Sequence, residues 1–227
     1  FSLEGETVFT VSEDKTIRIW DVETQTPFPQ FPSNNHNVGQ AFFPDGTKMV
    51  YLMMKDAVVF DTQTGAELFR LTYDDVLNAV TVSSDGRYLA AGSLNGTVTL
   101  WDLNTREILR TFSGQTGLTY DVTISQDNQY IAAGNYDGTA RIWDRQTGEE
   151  KRVFDPHGLV VESVALSPDG HYLATTACEN QAAQLWDVET GENTAILSGH
   201  GDWVSSIVYT PDGTIIASGG RDHNIWL

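Results

Sequence analysis

Cysteine, positive charge and long apolar runs are all scarce in these 227 residues. The one cysteine, Cys178, cannot close an internal disulfide, so packing must supply stability, which fits a reducing, cytoplasmic compartment. Cys178 itself reads as a small apolar residue near a strand end rather than a nucleophile. Thirteen basic against 31 acidic residues leave a formal net charge of −18, with no cluster of Lys and Arg. That argues against nucleic acid and anionic lipid, which are bound through such clusters. An acidic surface that keeps a β protein in solution accounts for the imbalance. No segment is apolar enough to span a membrane, so no insertion is expected. The five histidines (His36, His157, His171, His200, His223) show neither an i, i+4 pair nor Cys/His zinc spacing. The glycines sit in hairpin turns rather than between a strand and a helix, which excludes a phosphate-cradling loop. Neither a metal nor a cofactor is expected.

What the chain does have is repetition. Tyr130 to Glu149 reads as a short strand to Ala133, a turn through Gly138, a second strand from Thr139 to Trp143, and another turn. In the second strand Ala140 and Ile142 share one face, and Thr139, Arg141 and Trp143 the other. The pair Trp143-Asp144 recurs as Trp20-Asp21, Phe60-Asp61, Trp101-Asp102 and Trp186-Asp187, at spacings of 40, 41, 42 and 43. A second landmark keeps the same beat: Gly5, Gly46, Gly86, Asn128, Gly170 and Gly213, each after Glu or Asp. A third is the turn after each Trp/Phe-Asp pair, as in Gln146-Thr147-Gly148 and Glu189-Thr190-Gly191. Three registers in phase at a period of about 40–45 residues mark repeated four-stranded units.

These residues resemble the WD-repeat β-propeller family, with prokaryotic-type repeats, along essentially the whole chain. The resemblance implies an all-β propeller of four-stranded antiparallel blades from a ring of seven, about five and a half being present. Residues 1–227 then form one partial domain, with repeats ending near Asp21, Asp61, Asp102, Asp144 and Asp187 and a truncated sixth. Both ends cut through repeats, as in a fragment of a longer chain, whose open strand edges would promote self-association. Trp226 aligns with Arg141 rather than Trp143, so it is not the sixth repeat's own tryptophan.

In the family, a His, a Ser/Thr, an Asp and the Trp of one blade form a hydrogen-bonded chain that satisfies a buried indole and hydroxyl. Carried over, the set is Thr10, Asp14 and Trp20; Trp101; Asp137 and Trp143; Thr175 and Trp186; and His200, Ser218 and Asp222. Asn95 takes the acid position of the third blade, and Glu179 or Asn180 that of the fifth. The fourth has Ala133 at the Ser/Thr position and no preceding His. The second is the most decayed: Phe60 replaces Trp, Met54 stands at the acid position, and the Pro- and Asn-rich stretch from Pro27 to Asn37 interrupts the outer strand. A His, Ser and Asp in reach could suggest a hydrolytic triad, but positions that recur in blade after blade are structural.

The family's commonest partner surface is one rim around the channel. The resemblance places Trp203, Ser205 and Arg221 there, with Val160, Glu162 and Glu179, Leu118, Tyr120 and Tyr136, Val76, Asn78 and Leu94, and His36 and Val38. Val76, Val160 and Leu118 fit equally well as the core of first strands. Trp203, Tyr120, Tyr136 and Arg221 are expected to stay partly exposed and to bind. The function implied is a non-catalytic scaffold that docks a protein or peptide on this rim, as part of a larger signalling or regulatory protein. The alternative is a propeller enzyme or small-ligand binder using the central channel, which needs converging polar side chains.

Overall fold

The computed structural model describes residues 7–11, 16–26, 31–32, 39–155, 160–178 and 180–227, with side-chain surroundings for 20–26 and from 39 onward. Every regular element among the described residues is a β-strand. The first sheet contains β1 (Thr7–Val11), β2 (Thr16–Asp21) and β3 (Phe31–Pro32). The second contains β4 (Gln40–Phe42), β5 (Lys48–Met53), β6 (Asp56–Asp61) and β7 (Glu67–Thr72). The third contains β8 (Leu77–Val82), β9 (Tyr88–Ser93), β10 (Val98–Asp102) and β11 (Glu107–Phe112). The fourth contains β12 (Thr119–Ile124), β13 (Tyr130–Asn135), β14 (Ala140–Asp144) and β15 (Glu150–Phe154). The fifth contains β16 (Val161–Leu166), β17 (Tyr172–Ala177), β18 (Ala182–Asp187) and β19 (Asn193–Ser198). The sixth contains β20 (Val204–Tyr209), β21 (Ile216–Gly220) and β22 (Ile225–Trp226). Strand order within each sheet is chain order, and every pairing is antiparallel, as expected for blades.

Successive blades meet through their first strands: β4 lies against β8, β8 against β12, β12 against β16, and β16 against β20. The core is therefore a series of layers between blades rather than one central mass. The alternation in β13 and β14 shows how. Ile131, Ala133 and Trp143 pack towards the third blade, while Ala132, Ala140 and Ile142 pack towards the fifth. Trp101, Trp143 and Trp186 each complete a layer by meeting an aromatic ring from the preceding blade. Tyr73 lies 5.9 Å from Trp101, Phe112 5.7 Å from Trp143, and Phe154 5.6 Å from Trp186. The fourth strands close the outside, with Glu107, Ile108 and Leu109 exposed and Phe112 buried.

The two other landmarks are turn chemistry. Between first and second strands, Ser83, Ser125, Ser167 and Thr210 donate their hydroxyls to Asp85, Asp127, Asp169 and Asp212. The same carboxylates accept the N–H two residues on, and Gly86, Asn128, Gly170 and Gly213 between them take φ of 60–72°. Asn128 substitutes for glycine because asparagine tolerates the left-handed region. After the third strand, Asp21, Asp61, Asp144 and Asp187 each accept the backbone N–H of Thr24, Thr64, Thr147 and Thr190 at 2.6–2.8 Å.

Two blades depart from the pattern. Of the outer strand of the first, Phe31–Pro32 is described, paired with Ile17 and Thr16; the rest of the Pro27–Asn37 stretch lies outside the described residues. In the second blade the hairpin is two residues, Met54 and Lys55, between the paired Met53 and Asp56. Met54 has φ 58° and is exposed. The acid position expected at Met54 is absent because the turn is shorter than the four residues between β9 and β10. Phe60 is buried in the place of the tryptophan.

Candidate partner-docking rim

The first strands of the third to sixth blades share one irregularity. Pairing of β8 with β9 shifts between Leu77 and Ala79, of β12 with β13 between Thr119 and Asp121, of β16 with β17 between Val161 and Ser163, and of β20 with β21 between Val204 and Ser206. The residues left unpaired are Asn78, Tyr120, Glu162 and Ser205. All four were placed on the rim from sequence, and a bulge re-aims such side chains out of the ladder. Beside each bulge a backbone bond ties the residue before the first strand to the one after the second. Leu94 donates to the carbonyl of Val76, Tyr136 to Leu118, Cys178 to Val160, and Arg221 to Trp203, at 2.8–2.9 Å.

This register corrects one assignment. In the fifth blade Cys178, not Glu179, takes the position of Leu94, Tyr136 and Arg221. Asn180 fills the acid position, its Oδ1 accepting the N–H of Ala182 as Asp137 accepts that of Thr139. Glu179 is the extra residue between them; it, His36 and Val38 lie outside the described residues. Val76, Leu118 and Val160 are half-buried at the mouth of each first strand rather than core.

Six side chains come together across the fourth to sixth blades. Tyr136 is 60% exposed, and Leu94, on the third blade, is also exposed. The Arg221 guanidinium lies 4.1 Å from the Trp203 ring and 3.7 Å from Glu162 Oε1, which also accepts the Cys178 thiol at 3.0 Å. Burial raises the Tyr120 hydroxyl above its ordinary pKa, and neighbouring Cys178, Glu162 and Tyr136 add to the shift. Ser205 is exposed and donates to the Gly219 carbonyl, while Asn78 is turned inward and donates to the Thr119 carbonyl. Asn78 therefore serves the seam between blades rather than an open surface.

Beneath the rim, the sixth blade contains the His, Ser and Asp of the hydrogen-bonded chain. His200 Nδ1 lies 3.0 Å from Asp222 Oδ1 and Nε2 2.9 Å from Ser218 Oγ. Asp222 is held well below the usual carboxylate range by the Gly201 N–H, with His200 and Asn224 adding to it. In the fifth blade the Trp186 indole donates to Thr175 Oγ1 at 3.0 Å. In the fourth, Asp137 accepts the Thr116 N–H just as Asp222 accepts that of Gly201. Gln115 occupies the histidine position there, buried, with neither amide atom partnered among the described residues. In the third, Tyr73 stands in that position, its hydroxyl 3.2 Å from Thr97 Oγ1. Sequence reasoning missed Gln115 and Tyr73, although Gln115 lies 42 residues before His157. Trp101 and Trp143 are fully buried and Trp20 half-buried; Thr10 is paired within β1, and Asp14 lies outside the described residues.

The Ser218–His200–Asp222 geometry matches a nucleophile, base and orienter. It adjoins a cavity of about 600 Å³ lined by Tyr172, Leu185, Leu197, Tyr209 and Trp226. Its chemistry is nonetheless that of a buried tie. The His200 side chain is 3% exposed, and Asp222 spends both oxygens on backbone N–H groups as well as on the ring. Ser218 pairs with Trp226 across the hairpin as Ala133 pairs with Arg141, so Trp226 is not the repeat's own tryptophan. Among the described residues no cluster of three or more His, Cys, Asp or Glu could hold a metal, and no helix is long and apolar enough to cross a membrane.

Comparison with known proteins agrees with this architecture. The model of the WD domain, G-beta repeat, matches residues 1–21, 68–102, 106–144, 148–187 and 191–227. Each match after the first runs from the outer strand of one blade into the inner strands of the next, and residues 22–67, with the three inner strands of the decayed second blade, are skipped. The chain is similar to the U3 snoRNP-associated protein-like EMB2271 of Arabidopsis thaliana, 27% identical over 48% of this chain and 27% of that protein. It is 32% identical to the U3 snoRNP-associated protein-like YAOH of Oryza sativa, over 51% of the chain and 18% of that protein. Against the COMPASS component SWD3 of Saccharomyces cerevisiae it is 29% identical, over 51% of the chain and 40% of that protein. The aligned region is thus a minor part of each relative. With repeats matched over most of its length and folded as consecutive four-stranded blades, the chain belongs to the WD-repeat family.

Proposed function

We propose that this chain is a non-catalytic docking module that holds a protein or peptide partner on the rim of its third to sixth blades, within a larger regulatory or signalling protein. The observation that carries the reading is the run of four bulged first strands beside exposed or half-exposed Leu94, Tyr136, Cys178 and Arg221. Aromatic rings with an adjacent arginine are the composition of interaction hot spots. The relatives support a role in assemblies: one is a COMPASS component and two are U3 snoRNP-associated. The net charge of −18 favours protein over nucleic acid as the partner, and a cytoplasmic setting belongs to the proposal.

The test is affinity capture with the intact chain beside the variant Trp203→Ala, Arg221→Ala, Tyr120→Ala, Tyr136→Ala, with folding checked by circular dichroism. Partners lost from a folded variant support the rim. An unchanged set of partners moves the site to the channel or the opposite rim.

A further inference from the structure

We infer that the rim surface around Glu162 receives a basic side chain, lysine or arginine, of the docked partner; this rests on the rim reading above. Glu162 is the bulged residue of β16, so its carboxylate points out of the ladder, yet its side chain is only 14% exposed. Two uncharged groups lie beside it: the Tyr120 hydroxyl of the fourth blade and the Cys178 thiol of its own blade, which donates to Oε1 at 3.0 Å. A carboxylate with so little water gains much from a cation at hydrogen-bonding distance. The chain supplies only an incomplete one. Arg221 Nη2 stops 3.7 Å from Oε1, beyond a hydrogen bond, because its guanidinium is committed to the face of Trp203 at 4.1 Å.

The same contact shows what this surface accepts. Trp203 already stacks a guanidinium, and Tyr120 lies near the carboxylate, an aromatic setting that suits a cation. Long-range charge points the same way: a surface at −18 concentrates basic partners and repels acidic ones. An acidic partner seeking Arg221 would meet Glu162 beside it and the exposed Asp202.

The experiment titrates the whole chain with two N-acetylated, C-amidated pentapeptides of alanine and glycine around one central residue, arginine in one and neutral, isosteric citrulline in the other. Backbone amide chemical shifts give the site and the affinity. The arginine peptide is expected to bind at least tenfold more tightly, shifting Glu162, Cys178 and Tyr136, and Glu162→Gln is expected to erase that preference. Tyr136→Phe, which keeps the ring, is expected to retain it. Equal binding of both peptides, no saturable binding of either, or a preference that survives Glu162→Gln overturns the inference. Capture experiments separate it from the rim reading. If the four-residue variant loses its partners while Glu162→Gln keeps them all, the rim stands and the cation site falls.

Discussion

At the scale of single residues, His200 and Ser205 differ in consequence although both lie in the sixth blade. His200 is buried between Asp222 and Ser218, and its loss removes the ring partner of the Ser218 hydroxyl and one of the partners of Asp222. His200→Ala is expected to lower unfolding stability by about 1–3 kcal/mol in urea titration, and Ser205→Ala by no more than about 0.5. The turn aspartates add a pH dependence. Asp21, Asp144 and Asp187 are held below the usual carboxylate range chiefly by a threonine N–H, and Asp61 chiefly by the Thr64 hydroxyl. Their folded values lie below the unfolded ones, so their stabilisation is present above the unfolded pKa of about 4 and is lost as pH falls through the folded values. The thermal midpoint is expected to drop as pH falls below the unfolded pKa of about 4, and Thr64→Val to flatten that drop. Asp121 runs against this trend. Burial raises its pKa despite bonds from Ser163 and Val164, so its contribution favours the folded state at low pH and fades as pH rises through the raised value. A midpoint that rises on acidification would show Asp121 outweighing the turns.

At the scale of the blade, the fourth is a natural test of what the His–Ser–Asp chain contributes. It keeps Asp137 and Trp143 but has Gln115 and Ala133 at the histidine and serine positions. Gln115→His with Ala133→Ser is expected to rebuild the set and stabilise by about 1–2 kcal/mol, with a coupling of at least about 0.5 between the two sites. Additive single effects would mean that the ring does not bridge the two partners. Blades are also latched from outside. Arg110 donates to the Gln146 carbonyl and Arg152 to that of Val188, each in the turn of the next blade. A Cβ on Gly148, at φ 80°, would meet Arg110 Nη1 at 2.6 Å. Gly148→Ala is expected to cost about 1 kcal/mol or more through backbone strain, measurable as a lower urea midpoint. The latch was invisible in the linear chain, since an exposed arginine on an outer strand reads as ordinary surface.

At the scale of the whole molecule, exposed apolar side chains gather on the last two blades. Ile225, Trp226 and Leu227 on the sixth and Ile196 on the outer strand of the fifth are exposed, and β22 pairs only with β21 among the described residues. An open strand edge with apolar side chains invites pairing with another chain. Ile225→Lys with Ile196→Lys is expected to reduce self-association in light scattering and size exclusion without altering the circular dichroism spectrum. Unchanged association would place the sticky surface elsewhere. Much of this architecture was legible beforehand. The period of Trp-Asp, Asp-Gly and Thr-Gly marks revealed blades, their order and the register of Trp226, because each mark is local turn or strand chemistry repeated under the same constraint. The short hairpin at Met54 and the shift from Glu179 to Cys178 were not, because a one- or two-residue change in a turn leaves the period nearly intact. Residue type and spacing determined the blades, since positive φ, alternation and a buried indole are demands a segment makes on itself. Which side chains share the rim was decided only by tertiary structure. Tyr120, Glu162, Cys178 and Arg221 come from three blades, and bulged strands and the stacking of those blades, both non-local, bring them together.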